Sequence, residues 1–435
     1  MVYNFNKMQN INAILLLYHH PVKTNAPTIK EHVNAFSDHS RFKTWKINTA
    51  LGFPATLKNY NFNVNVLHYS LFGHPISLGK QFLSYLSSVK NSYKIAFFQD
   101  EHEYWSERAA FINSIDLDCV YTLFEPRYFD ATYGKCTKVP KILYNLTGYV
   151  SDQMNDFASQ CLKAYEDRNI DIGYRARKLP YYLGRGAQEK SFIGEEFKKR
   201  GQNLDLKIDI ETDEASRIYG EAWYRFLADC KAVLGVEAGT SVIDLDDVLR
   251  TQYAELCAGA PEISFPKCSF EDFHDEYLKP YEDRIFYRTI SPRHFEAAAF
   301  RICQILFEGK YSGILKPMEH YIPLKKDFTN FDDVIKMFMD TQLRSKIVDN
   351  AYRDLIDSGA YSYEKFIKQF DEELIAEGFS PEIDTEESRM VSIQLERGKF
   401  RKHLYMLISG FRQLQFPGRK FFKPFLKPIL KFLGI

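Results

Sequence analysis

Short apolar runs, each closed by a polar turn and followed by a stretch of helical periodicity, recur along this chain and then start again. Few folds accommodate that alternation. The runs 11–18, 64–69, 94–98, 119–123 and 141–144 read as buried strands, with helices beginning near Thr28 and over 82–86 between them. The series pauses over 150–167, where a polar helix serves as a linker. It resumes with strands at 170–175, 206–210, 232–236 and 304–309 and helices over 191–200, 221–230 and from Phe295 onward. Amphipathic helices follow at 332–338 and 363–375. Strand, polar loop, helix, strand is the signature of a parallel sheet with crossover helices. The chain therefore predicts an α/β protein of two Rossmann-like domains facing across a cleft, at 1–155 and 156–380, with the last helices free to cross back. A basic amphipathic tail occupies 381–435. In open parallel sheets ligands bind beyond the carboxyl ends of the strands, so two facing sheets create a cleft between them.

Composition supports this and narrows it. The 435 residues suit two or three domains, and 45% hydrophobic with 26% charged residues excludes a chain disordered over most of its length. The net charge of zero hides an asymmetry. Ten of the 57 basic residues lie from Arg397 onward with no Asp or Glu among them, so residues 1–396 carry 47 basic against all 57 acidic groups. In 418–433 Lys420, Lys423, Lys427 and Lys431 alternate with Phe422, Phe425, Ile429 and Phe432, which suits an anionic membrane surface contacted by 411–435. Pro424 and Pro428 kink any helix there. No other basic patch suggests nucleic acid. No apolar run reaches 18 residues and the first residues lack a signal pattern, so a cytoplasmic location is expected. Seven separated cysteines form no Cys-x-x-Cys pair and predict reduced core thiols rather than a zinc site.

Four segments carry candidate chemistry. Ser291-Pro292-Arg293-His294-Phe295-Glu296 predicts a helix start open to a ligand, where free N–H groups and the dipole favour phosphate and Arg293 adds charge-assisted bonds. The strand-to-loop turn 235–241, with Thr240 and Ser241, offers a backbone cradle for phosphate. His19 and His20 follow the first strand, and Asp100, Glu101 and His102 follow another, which puts His20, Asp100 and Glu101 forward as proton-transfer groups at the cleft edge. Adjacent histidines point apart, so 19–20 is a poor metal pair. Asp244-Leu245-Asp246 has the letters of a metal motif but reads as surface helix. No metal site and no other cofactor is expected.

Phe295-Glu296-Ala297-Ala298-Ala299, followed by the strand at 304–306, resembles the nucleotide-sugar site of GT-B fold glycosyltransferases, most of all the bacterial surface-polysaccharide branch. Arg293-His294-Phe295-Glu296 is similar also to the spore-maturation type. Further likeness lies in 309–313, 320–324 and 327–330. The resemblance implies that Glu296 grips the ribose hydroxyls of the donor, and that Arg293 and His294 belong to the same site. It implies that the segment Asp171 to Arg177, with Lys190 at the start of the next helix, neutralises the donor diphosphate through Arg175, Lys190 and Arg177. Eight residues before Glu296 stands Arg288, where retaining members carry a Glu, so the sugar-side carboxylate is not carried over. The activity implied is transfer of a sugar from a nucleotide donor to a polysaccharide or lipid-linked oligosaccharide. An epimerase or hydrolase on the same fold, or a non-catalytic scaffold of a polysaccharide assembly, are the alternatives. The implied setting is the inner face of a cytoplasmic membrane.

Overall fold

The computed structural model describes residues 8–21, 27–257 and 265–381. In the first half, strands β1 (Gln9–Tyr18), β2 (Thr44–Asn48), β3 (Tyr60–Leu67), β4 (Tyr93–Phe97), β5 (Cys119–Thr122) and β6 (Lys141–Tyr144) alternate with helices α1 (Pro27–His39), α2 (Lys80–Ser88) and α3 (Trp105–Ser114). All neighbouring strands pair in parallel, in the order β2-β1-β3-β4-β5-β6. The central strands are apolar on both faces because helices or loops cover each side. Ile14, Leu16, Val64, Val66, Ile95 and Phe97 face one layer, and Leu15, Leu17, Leu67 and Ala96 face the other.

Helix α4 (Asp152–Cys161) leads to the second half. There β7 (Ile170–Arg175), α5 (Arg185–Arg200), β8 (Ile208–Glu211), α6 (Glu221–Asp229) and β9 (Cys230–Gly235) are followed by a short strand, β10 (Ala238–Thr240). Helices α7 (Val248–Leu256) and α8 (Phe270–Phe273) form an excursion that returns through β11 (Tyr287–Thr289), the antiparallel partner of β10. Then come α9 (Pro292–Ala299), β12 (Cys303–Phe307), β13 (Ile322–Leu324), α10 (Phe331–Met339), α11 (Thr341–Tyr352) and α12 (Tyr363–Ala376). The second sheet runs β13-β12-β9-β7-β8, again all parallel. In both sheets the strand order reverses beside the first strand of the half, between β1 and β3 and between β7 and β9. Such reversals open a crevice at the carboxyl ends. Two doubly wound sheets facing across a cleft are the GT-B architecture implied by the resemblance.

The halves are joined by more than the linker. Ile243, Ile285 and Tyr287 lie in the apolar core of the first half. Helix α12 lays Tyr363, Phe366, Ile367 and Phe370 against Phe36 and Phe97 of that half. Asp247 accepts hydrogen bonds from the N–H groups of Trp105 (3.3 Å) and Ser106 (3.2 Å), at the start of α3. The basic tail lies outside the described residues.

Two local expectations change, and the position of Arg288 becomes clear. Helix α5 starts at Arg185, so Lys190 sits in its second turn rather than at its start. Residues 244–246 are not helical. Asp244 is buried, and its carboxylate accepts from the N–H groups of Val248 (3.0 Å) and Arg250 (2.9 Å), where α7 begins. Arg288 turns into the protein beneath α5, pairing with Glu189 (3.3 Å) and Asp283 (3.4 Å).

Candidate functional site

A cavity of about 700 Å³ opens between the two sheets, bounded in the second half by the ends of β7 (Gly173, Tyr174, Arg175) and β9 (Val233 to Gly235). This is the reversal point of the second sheet. Gly235 is required there. A Cβ on it would lie 2.7 Å from Leu306 and 3.2 Å from Nε2 of His294, so only glycine lets that imidazole lie against the strand end. The 236–240 loop continues the wall. Gly239 has φ 88°, and a Cβ there would collide with the carbonyl oxygen of Tyr287.

Helix α9 presents its first turns to the cavity through Ser291, Pro292, Arg293, His294 and Glu296. Pro292 at the first helical position and the Ser291 cap fix where it starts. The expectation of open N–H groups is not met. The Ser291 N–H donates to Nδ1 of His294 (2.9 Å), the Arg293 N–H donates to the Ser291 hydroxyl (3.3 Å), and the His294 N–H donates to the Ser291 carbonyl (3.0 Å). What meets a ligand is therefore side chain. Burial drives the His294 imidazole down to about 3, so it is neutral. With Nδ1 accepting, the proton sits on Nε2, which has no hydrogen-bond partner among the described residues. Glu296 is buried, and its Oε2 accepts the indole N–H of Trp223 at 2.7 Å. Burial raises its pKa, while that bond and the Arg293 charge pull it back. The Arg293 guanidinium lies over the Trp223 ring at 4.8 Å and donates to the Arg175 carbonyl.

Lys190, Arg177, Arg217 and Arg293 bring positive charge to the same wall. The Lys190 ammonium has no hydrogen-bond or ion-pair partner among the described residues. Burial lowers its pKa to about 8; Asp100 opposes that shift, and Arg293 and Arg177 add to it. Arg177 is half-exposed, with only a 3.8 Å approach from Glu214. Arg175 lines the cavity, yet its guanidinium is committed elsewhere. It pairs with Asp209 at 2.8 Å, donates to the Asp209 carbonyl, and stacks on Phe226 at 4.4 Å. Thr240 lines the cavity with its hydroxyl donated to the Val242 carbonyl (3.0 Å). Ser241 does not line it. Its hydroxyl accepts from the Gly186 N–H (2.7 Å) and so caps the start of α5.

The first half closes the other side with Pro27, Thr28, Asp100, His102 and Glu103. Asp100 sits on a left-handed backbone (φ 49°) that turns its exposed carboxylate toward the cavity and toward Lys190. Its neighbour Glu101 points the other way. It is fully buried and accepts from Thr122 (2.5 Å), the Leu123 N–H (2.8 Å), Tyr133 (2.5 Å) and Tyr287 (3.1 Å). Every polar atom of that carboxyl is engaged away from the cavity, which removes Glu101 from the proton-transfer set. His20 is also off the cavity lining, its backbone held by Asn48 (2.9 and 2.8 Å). The imidazole that the first half brings to the cleft is His102, whose pKa burial lowers. In the sequence Trp223 falls within the helix expected over 221–230 and is not singled out, nor is the 217–220 loop beside it.

No family model matches this chain, and no curated protein matches it. Solved structures do. An alpha-glucosyltransferase in complex with UDP and a 13-mer DNA is 11% identical, covering 84% of this chain and 99% of its own, with a TM-score of 0.45. Sucrose-phosphate synthase from Thermosynechococcus elongatus is 11% identical over 85% of this chain and 99% of its own, at 0.43. HepE of Anabaena in complex with UDP-glucose is 12% identical over 84% and 99%, also at 0.43. Likeness at this level assigns no activity to the present chain.

Proposed function

We propose that this protein is a glycosyltransferase that moves a sugar from a nucleotide-sugar donor to a polysaccharide or lipid-linked oligosaccharide. One observation carries the reading: the lining of the cavity is split by charge. The second half supplies Lys190, Arg177, Arg217, Arg293 and the buried Glu296, while the first half supplies Asp100, Glu103 and His102, whose charged form burial disfavours. A nucleoside diphosphate sugar matches the first set, and the hydroxyl of an acceptor matches the second.

In this reading Lys190, Arg177 and Arg293 face the diphosphate, the His294 Nε2–H donates to it, and Glu296 accepts a ribose hydroxyl. The acceptor oxygen bonds to the anomeric carbon. The bond from that carbon to the phosphate oxygen breaks, and its electron pair stays on the departing diphosphate. The acceptor proton passes to the Asp100 carboxylate. Cations fixed beside the diphosphate before reaction stabilise charge that grows in the transition state, so the reading calls for no metal. Asp100, which faces Lys190 across the cavity, is kept as the base, and Arg175 and Thr240 shape the wall.

The test is product analysis. Protein incubated with a panel of nucleotide sugars and lipid-linked or free oligosaccharides is expected to release nucleoside diphosphate only in step with a lengthened glycan. Return of an isomerised nucleotide sugar identifies an epimerase, and release without glycan product identifies a hydrolase. Neither binding nor turnover of any donor leaves the scaffold reading.

A further inference from the structure

Trp223 lines the cavity, makes specific contacts there and has no place among the residues the sequence put forward. It stands in the first turn of α6, beside the Tyr224, Phe226 and Leu227 face that packs into the core. Its ring stacks on Phe226 at 5.6 Å, and Phe226 carries Arg175. The indole edge donates to Oε2 of Glu296 at 2.7 Å, and the ring face lies under the Arg293 guanidinium at 4.8 Å. Two of the α9 groups that face the ligand, Arg293 and Glu296, are thus held by one side chain from another helix. Oε1 of Glu296 accepts no hydrogen bond from any described residue.

We propose that Trp223 is the positioning residue of the donor site. Its N–H occupies Oε2 of Glu296 so that Oε1 is turned to the ribose hydroxyls, and its ring holds Arg293 toward the phosphates. This rests on reading the cleft as a donor site. An indole N–H can only donate, so it fixes Oε2 as an acceptor and leaves Oε1 to meet the ligand. A carboxylate in a buried wall is also kept ionised by such a donor. The other charged or titratable groups near Glu296 are Arg293, Tyr224 on α6 and, from α1, Glu31, which accepts the Tyr224 hydroxyl at 3.4 Å and is raised to about 7 by burial and by the Glu296 charge.

The experiment is calorimetry of the full chain with UDP and with GDP, each against its 2′,3′-dideoxy analogue, at several pH values. The wild type is expected to prefer the ribose form of its better ligand by roughly tenfold or more, the scale of a hydrogen bond to a charged group. Trp223→Phe keeps a ring under Arg293 and removes the N–H. It should weaken the ribose form several-fold while leaving the dideoxy form unchanged, and move the acid-side loss of affinity to higher pH. Trp223→His, which restores a ring N–H, should recover part of the preference. If the two forms weaken equally in Trp223→Phe, or if the preference and pH profile stay at wild-type values, the positioning role is overturned while the donor site stands. If the wild type binds neither diphosphate, the donor reading itself falls. Should Trp223→Phe fail to fold, the wild type still decides. Equal affinity for ribose and dideoxy forms sinks the proposal.

Discussion

Lys190 holds its charge in a wall where burial works against it, which makes its titration a direct handle on ligand binding. Its pKa of about 8 lies below the ordinary lysine value, so the folded protein gives up this proton more readily than the unfolded chain. The sign follows. At neutral pH the ammonium costs stability, and that cost is relieved as pH rises from about 8 toward the ordinary value. A bound diphosphate acts oppositely and favours the ammonium. Donor affinity is therefore expected to hold below pH 8 and to fall as pH rises through it. Lys190→Arg, whose charge persists, should flatten that alkaline fall, and Lys190→Met should weaken binding while raising the melting temperature at pH 7. Calorimetry and thermal melts across pH 6–10 read both. A flat profile in the wild type removes Lys190 from the phosphate set. The residue scale also explains why neighbours diverge. Asp100 and Glu101 are adjacent in sequence, but the left-handed turn at Asp100 sends one carboxylate into the cleft and the other into the core. No periodicity in the sequence encodes that turn.

Elements were legible where burial made them uniform. The central strands of both sheets are apolar on both faces and stand out as runs; β1, β4, β5 and β7 fall where the pattern puts them. The strands missed are β2, an edge strand with Lys46 and Asn48 in five residues, and β10, β11 and β13, at three residues each. Edge and minimal strands pack too little surface to leave a period-two signature. The Ser241 assignment failed for a related reason: a hydroxyl at a strand-to-loop turn serves a helix start as readily as a phosphate. Ser241→Ala is expected to cost about 1 kcal/mol of stability through the lost cap on α5. Donor affinity should stay within twofold of wild type, by roughly the margin of a site with no ligand contact. Denaturant unfolding alongside calorimetry checks both, and a large loss of affinity at unchanged stability would return Ser241 to the donor site.

At the scale of the whole molecule, the two α/β halves were readable from repetition alone, but their mutual attachment was not. Ile243, Ile285 and Tyr287 enter the first half's core from an excursion whose composition gives no hint of its destination. The tail was readable only as charge. Removing 411–435 is expected to release the protein from anionic liposomes and to leave nucleotide-sugar binding intact, with flotation and calorimetry as the assays. Full-length protein that fails to float removes the membrane foot. No helix among the described residues is long and apolar enough to cross a membrane. The central claim is that the cleft between the sheets holds a sugar nucleotide by its ribose and phosphates. Calorimetric titration of nucleoside diphosphates into wild type and Glu296→Ala tests it most directly. The account predicts saturable binding near one to one, weakened in the variant by about 1.5–3 kcal/mol, the scale of a charged hydrogen bond. Equal affinity in the two proteins would contradict it.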